Sequence, residues 1–190
     1  MASRSGGPSG PDGVQTALFG KEQAGGAPIG YRGPTACTVA GITYRQLDYW
    51  ARTGLVEPTI RAAAGSGSQR LYSFRDILLL KVVKRLLDTG VSLQNIRLAV
   101  NHLRDSGDAD LTGVTLMSDG TTVYACTSPD EVVDLVQGGQ GVFGIAVGRV
   151  IGEVAGSLAE LPSESAEPAA GAVPVAGDEL AARRSRRTGT

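Results

Sequence analysis

The sequence predicts an α+β fold, because helical and strand-like patterns of apolar residues occupy separate parts of its 190 residues. Between residues 43 and 104, apolar side chains recur at the i, i+3, i+4 and i+7 spacing of amphipathic helices. Further along, β-forming residues flank an Asp-Gly pair at 119–120, which is typical of a tight hairpin turn. Both ends of the chain are rich in glycine, proline, alanine and serine and lack either period, which favours disorder. The predicted units are a disordered tail (1–33), an N-terminal domain (34–105), a small C-terminal α/β domain (106–161) and a second disordered tail (162–190).

The formal net charge of −1 conceals two oppositely charged segments. Residues 41–104 contain ten basic and four acidic side chains, a balance of +6, whereas residues 105–161 contain nine acidic side chains and one basic side chain, a balance of −8. A positively charged surface attracts the phosphates of nucleic acids, and a negatively charged one repels them. The basic segment is therefore the predicted nucleic-acid-binding part. For the acidic segment we expect dimerisation, a small effector molecule or a protein contact such as RNA polymerase.

A helix is predicted over residues 43–53, because Thr43 and Gln46 form a capping-box pair and Gly54 is a suitable C-terminal residue. Helical spacing places Tyr44, Leu47, Trp50 and Ala51 on an apolar face, and Arg45, Asp48, Tyr49 and Arg52 on the opposite, polar face. Arginine can bond guanine bidentately or hold a phosphate, and a tyrosine hydroxyl can reach a phosphate. Asp48 repels phosphate, so we expect it either to accept a hydrogen bond from a cytosine amino group or to orient a neighbouring arginine. We favour the second role.

Two short extended pieces, 55–61 and 70–72, flank a tip rich in glycine and serine and predict a hairpin. A short helix opening at Pro34-Thr35, a glycine turn at Gly41, a capped helix and a hairpin, in this order, are the arrangement of a winged helix-turn-helix domain. Such a domain places the helix in the major groove of DNA and the wing, here 56–72, on the backbone. Two further helices are predicted after the hairpin, starting at Ser73 and Ser92, and a third is predicted to start at Ser128 in the acidic segment. The residues predicted to contact DNA are Thr43, Tyr44, Arg45, Asp48, Tyr49, Arg52, Arg61, Ser68, Arg70 and Tyr72.

The segments ITYRQLDYWARTGLVEP and SQRLYSFRDILLLKVVKRLLDTGVSLQNIRLAV resemble the DNA-binding domain of the MerR family of bacterial transcription regulators. The resemblance covers residues 35–104. It implies binding to double-stranded promoter DNA as a homodimer, with activation by distortion of that DNA. It also implies that Tyr49 and Trp50 occupy a paired-aromatic position and that Arg70 and Tyr72 close the wing.

The sequence departs from that family in two places. Asp48 stands where many members carry an arginine, and Gly107, Gly113 and the following hairpin interrupt the long helix through which members usually dimerise. The acidic segment is predicted as this hairpin, a helix, and then a strand followed by a helix within residues 142–161. We favour dimerisation through residues 139–158, which are rich in glycine, valine and isoleucine. The alternative is that these glycines permit tight turns within a monomeric core.

Other functions have less support in the sequence. Cys37, Cys126 and the single histidine, His102, suggest neither a disulfide framework nor a metal site, so we expect no metal and no cofactor. The chain lacks a long apolar run and a secretory leader, which predicts a cytoplasmic, nucleoid-associated protein without membrane contact. No constellation typical of an enzyme is recognisable. The leading prediction is a sequence-specific transcription regulator. The alternatives are an architectural DNA-binding protein with weak sequence preference and a partner-binding module.

Overall fold

The computed structural model describes residues 28–62, 69–106, 108–139 and 143–166, which form a mixed helical and stranded fold. Within these residues there are six α-helices: α1 (Gly33–Ala40), α2 (Tyr44–Arg52), α3 (Phe74–Asp88), α4 (Leu93–Asp105), α5 (Pro129–Gln137) and α6 (Val147–Ala159). The strands are β1 (Ile29–Arg32), β2 (Leu71–Tyr72), β3 (Thr115–Ser118), β4 (Val123–Cys126), β5 (Phe143–Ala146) and β6 (Glu164–Ser165). A 3-10 helix, Asp108–Gly113, connects α4 to β3.

The helix starts that the sequence predicts are confirmed. The hydroxyls of Thr43, Ser73, Ser92 and Ser128 each accept a hydrogen bond from the main-chain amide three residues later, so they cap α2, α3, α4 and α5. The end of α2 is confirmed as well. Gly54 has a φ of 68°, in the left-handed region, and the amide of Leu55 donates to the carbonyl of Trp50 at 2.9 Å.

The first sheet has the strand order β2-β1-β6 and corrects two predictions. Residues 29–32 and 164–165, predicted as parts of the two disordered tails, form its central strand and one edge strand; residues 1–27 and 167–190 of those tails lie outside the described residues. Within the described residues, the two arms of the predicted wing pair only at an isolated bridge between Arg61 and Leu71, and the opposite edge of β2 pairs with β1. The amide of Thr59 donates to the Oδ2 atom of Asp76 at 2.8 Å. The first wing arm therefore uses a main-chain amide for a hydrogen bond to a side chain and not for pairing with the second arm.

The second sheet has the order β4-β3-β5, and all its neighbours are antiparallel. The predicted hairpin is confirmed as β3 and β4. Asp119 accepts hydrogen bonds from the amides of Thr121 and Thr122 at 2.7 and 2.6 Å, and Gly120 has a φ of 88°. The predicted strand followed by a helix within residues 142–161 is confirmed as β5 and α6.

One hydrophobic core extends through the segments predicted as two domains, 34–105 and 106–161. Helix α3 packs against α1, α4 and α6, and α6 also packs against the 3-10 helix. The valine, isoleucine and leucine side chains of α6 are all buried in this core: Val147, Val150, Ile151, Val154 and Leu158. These side chains are therefore not available as the dimer surface that we favoured within 139–158. Their burial agrees with the alternative, a core within one chain.

Two glycines of α6 have opposite surroundings, which predicts opposite effects of alanine. A Cβ atom at Gly148 would lie 2.6 Å from the carbonyl oxygen of Thr112, whereas nothing lies within 4 Å of one at Gly152. We expect Gly148→Ala to lower the free energy of unfolding by about 1–3 kcal/mol, because main-chain atoms must move. We expect Gly152→Ala to raise it by about 0.5–1 kcal/mol through helix propensity. Urea unfolding of both variants measures these changes, and equal effects would contradict the close packing at Gly148.

Candidate nucleic-acid interface

Helix α2 presents the polar face that its sequence predicts. Leu47, Trp50 and Ala51 are buried, whereas the side chains of Arg45, Tyr49 and Arg52 are exposed and Asp48 is partly exposed. The two adjacent aromatic residues lie on different faces of the helix: Trp50 is 2% exposed and Tyr49 is 46% exposed. One prediction for this helix is wrong. Tyr44, assigned to the apolar face, is 63% exposed; its ring lies beside the start of α1, where a Cβ atom at Gly33 would approach it to 3.1 Å, and not in the core.

Asp48 lies between two arginines from different elements. Its Oδ2 accepts a hydrogen bond from Nε of Arg52, one turn later in α2, and its Oδ1 accepts one from NH1 of Arg70, immediately before β2; both distances are 2.9 Å. The hydrogen bond from Arg70, together with the positive charges of both arginines, holds the pKa of Asp48 below its ordinary value. The same carboxylate raises the pKa of Arg70. This geometry agrees with the favoured role for Asp48, orientation of a neighbouring arginine.

Tyr72 does not lie where a DNA contact requires it. The sequence assigns it to the DNA-contacting set, but the side chain is completely buried and its hydroxyl has no hydrogen-bond partner among the described residues. Burial raises the pKa of Tyr72 to about 12, and the nearby charge of Arg70 opposes this rise. The prediction of a DNA contact by Tyr72 is therefore corrected: the residue belongs to the wall beneath Arg70.

The other wing residues and Thr43 have separate positions. Arg61 is exposed beside the wing tip, and Ser68 lies outside the described residues. The Thr43 hydroxyl is engaged in the α2 cap, where it accepts from the amide of Gln46 at 3.2 Å. Thr43 therefore positions the start of α2, whatever else its exposed side chain contacts.

A groove of 440 Å³ separates the start of α1 from α2 and the residues before β2. Its lining includes Arg32, Tyr44, Asp48, Gln69, Arg70 and Tyr72. Sequence reasoning missed Arg32, which forms an ion pair with Glu164. No local pattern indicates that position, since it results from the pairing of β1 with β6, two strands from opposite ends of the chain.

Several of the basic side chains that give residues 41–104 their balance of +6 form hydrogen bonds or ion pairs within the protein. Arg97 donates to the carbonyl of Thr53 at 2.9 Å, and Arg104 donates to the carbonyl of Leu55 at 2.8 Å. Arg75 donates to three carbonyls at the end of α4. Three others pair with carboxylates: Lys81 and Arg85 with Glu153, and Lys84 with Asp88. Four basic side chains remain around α2 and the wing: Arg45, Arg52, Arg61 and Arg70.

Comparison with known proteins agrees with this arrangement. The family model described as "MerR HTH family regulatory protein" matches residues 31–103. An uncharacterized HTH-type transcriptional regulator of Mycobacterium tuberculosis is 62% identical over 179 residues, which are 94% of this chain and 78% of the relative. The HTH-type transcriptional regulator HmrR of Sinorhizobium medicae is 30% identical over 83 residues, 43% of this chain and 54% of that protein. The class is therefore a transcriptional regulator with a DNA-binding helix-turn-helix domain. The chain belongs to the MerR family.

The name of a further relative states a dependence on heavy metals. The heavy metal-dependent transcription regulator 1 of Rhizobium meliloti is 31% identical over 86 residues, 44% of this chain and 56% of that protein. In this chain, the described residues contain no group of three or more His, Cys, Asp or Glu side chains placed to hold a metal ion. None of the described helices is both long enough and apolar enough to cross a membrane.

Burial of Tyr72 predicts a pH-dependent stability. Because the pKa of Tyr72 is about 12 in the folded protein and 10.0 is its ordinary value, the folded state keeps a proton that the unfolded state loses. This contribution to stability is complete below about pH 10 and falls between pH 10 and 12, by up to about 1.4 kcal/mol per pH unit. Tyr72→Phe removes the hydroxyl, so the loss of stability with pH should be shallower in this variant. Urea unfolding at pH 8 to 11.5 measures the difference, and parallel curves would contradict the burial of the hydroxyl.

Proposed function

We propose that this protein is a sequence-specific, DNA-binding transcription regulator that acts as a homodimer on promoter DNA at the nucleoid. Helix α2 reads base edges in the major groove, and the wing, residues 56–72, contacts the backbone in a winged helix-turn-helix arrangement. The observation that carries this proposal is the exposed face of α2, where Arg45, Tyr49 and Arg52 stand together on a helix whose other face is buried.

The dimensions of α2 suit this role. A single helix fits the major groove, which is about 12 Å wide. Arg45 and Arg52 are seven residues apart, so they are separated by about 10 Å along the helix axis, close to the length of three base pairs. Each guanidinium can donate two parallel hydrogen bonds to guanine, and Tyr49 between them can contact a sugar or phosphate.

The wing supplies cations for the backbone. Arg61 is exposed at the described end of the first wing arm, and Arg70 stands at the start of the second. Their positions support phosphate contacts beside the groove that α2 enters. Such contacts fix the orientation of the protein on the duplex and carry no sequence information by themselves.

Dimerisation requires a surface other than the buried face of α6. The large apolar side chains exposed beyond α2 are those of Leu93 and Leu98 on α4 and of Val133 and Val136 on α5, within the described residues. Helix α5 has no buried residue. These two helices therefore offer the apolar area from which a homodimer would be built, and a promoter site with inverted-repeat symmetry is expected.

The decisive experiment is selection of bound duplexes from a random pool, followed by sequencing. A sharp inverted-repeat motif supports a dimeric, sequence-specific regulator. A diffuse A·T bias would favour an architectural protein instead, and the absence of affinity at low salt would favour a partner-binding module. Sedimentation of the complex with a selected duplex counts the bound 19.5 kDa chains, and the proposal expects two.

Alanine substitutions separate base contacts from backbone contacts. If Arg45 and Arg52 read bases, each change to alanine should cost about 1–3 kcal/mol of binding to the selected duplex and relax the motif at one position. Arg61→Ala should weaken binding to all sequences by a similar factor and reduce the salt slope by about 1. Fluorescence anisotropy titrations at four salt concentrations measure both effects. Binding like the parent's in all three variants would contradict the assignment of this face.

A further inference from the structure

The centre of the DNA-facing surface carries a negative charge that the proposed function does not require. Asp48 lies on the exposed face of α2, and both of its oxygens are engaged at 2.9 Å, one by Arg52 and one by Arg70. The two arginines differ in solvent exposure: the side chain of Arg52 is 67% exposed and that of Arg70 is 23% exposed. The carboxylate thus links α2 to the wing across 22 positions of sequence.

Neither stability nor affinity explains a carboxylate at this place. The pair with Arg52 is exposed, and such pairs contribute about 0–1 kcal/mol to stability. The pair with Arg70 is partly buried, so the desolvation of both charges offsets much of their attraction. Asp48 also stands beyond the first turn of α2, where the helix dipole no longer favours an acid. A negative charge that faces DNA weakens attraction to every phosphate, whatever the base sequence. The remaining explanation is that the carboxylate acts on the two arginines that it binds, Arg52 and Arg70.

We propose that Asp48 is a positioning residue that gives the protein its discrimination between DNA sequences, by fixing Arg52 and Arg70 in one geometry and lowering their combined attraction to phosphate. The inference rests on the proposed function of α2 and the wing. With the carboxylate in place the three side chains carry a net charge of +1, and without it they carry +2. A non-specific phosphate contact gains from the higher charge, whereas a base contact depends on the geometry.

The hydrogen-bond pattern leaves the arginines able to bind. Asp48 occupies Nε of Arg52, so both terminal amino groups of that guanidinium remain to donate in parallel to a guanine. It occupies one terminal nitrogen of Arg70, so the remaining N–H groups can reach a phosphate. An arginine held in this way keeps its orientation before DNA arrives, and less conformational freedom is lost on binding.

The test compares Asp48→Asn with a matched control, Asp88→Asn. Asp88 also forms an i,i+4 ion pair, with Lys84, although it is more exposed than Asp48. It stands at the opposite end of α3 from the wing, about 20 Å along the helix. Both changes remove one negative charge from the full-length chain. The probes are a duplex that carries the motif selected with the parent protein and a scrambled duplex of the same length and composition.

For Asp48→Asn we expect binding to the scrambled duplex to become about three- to tenfold tighter at low salt, and the slope of log K against log salt to steepen by about 1. The ratio of affinities for the selected and scrambled duplexes should fall on the order of tenfold. Asp88→Asn should change none of these quantities. A third variant, Asp48→Glu, keeps the charge and displaces it by one methylene, so it should retain the parent's salt slope and lose part of the ratio.

Three results would overturn the proposal. One is an unchanged salt slope and ratio in Asp48→Asn, and another is an equal change in Asp88→Asn. The third is loss of affinity for the selected duplex confined to one C·G position, which would show that Asp48 accepts from cytosine. If Asp48→Asn is unfolded at the assay temperature, the ratio measured for Asp48→Glu decides, and a ratio equal to the parent's contradicts the inference. A parent that binds both duplexes equally would refute the proposed function itself.

Discussion

The burial of α3 is the constraint on which the rest of the structure depends. Nine of its fifteen residues are buried, and α1, α4 and α6 all pack against it. A helix covered on several sides must be apolar around most of its circumference, which explains its run of leucine and valine. Because α6 comes from the acidic segment and packs against both α3 and α1, the acidic segment contributes to the core against which α2 packs through α1. The helix that we propose to read DNA is therefore supported by both parts of the chain.

A buried carboxylate at the start of α3 determines how the wing leaves this core. Asp76 accepts hydrogen bonds from the amide and hydroxyl of Thr59 at 2.8 and 2.9 Å, and from the amide of Ser73 at 2.9 Å. Burial raises the pKa of Asp76, and these hydrogen bonds oppose the rise. Since the amides of Thr59 and Ser73 are used here, the described part of the first wing arm pairs with β2 only at the Arg61–Leu71 bridge. The other edge of β2 pairs with β1, and Arg70, directly before β2, lies within hydrogen-bonding distance of Asp48.

The electrostatics of the DNA-facing surface follow from how the basic residues are used elsewhere. Arg75, Arg97 and Arg104 donate to main-chain carbonyls, and in the last two cases these are carbonyls of residues that directly follow α2. Such contacts satisfy acceptors at helix ends, so these arginines support the position of α2 without facing the same side. The net charge of a sequence segment therefore overestimates the charge available to a nucleic acid. What DNA would meet is a smaller set of cations with a carboxylate at its centre.

The sequence by itself determined the elements whose signals are local. The caps at Thr43 and Ser128, the left-handed turn at Gly54, the two faces of α2 and the Asp-Gly hairpin all depend on hydrogen bonds or spacings within about five residues, so a single sequence indicates them. Tertiary structure decided which strands pair, why Tyr72 is buried beneath Arg70 and why Asp48 binds Arg70 in addition to its helical neighbour Arg52. These contacts are between residues that are distant in the sequence. The free energy of each contact depends on which other residues pack at the same place. No periodicity or motif reports that competition, because it is resolved only when the core around α3 is assembled.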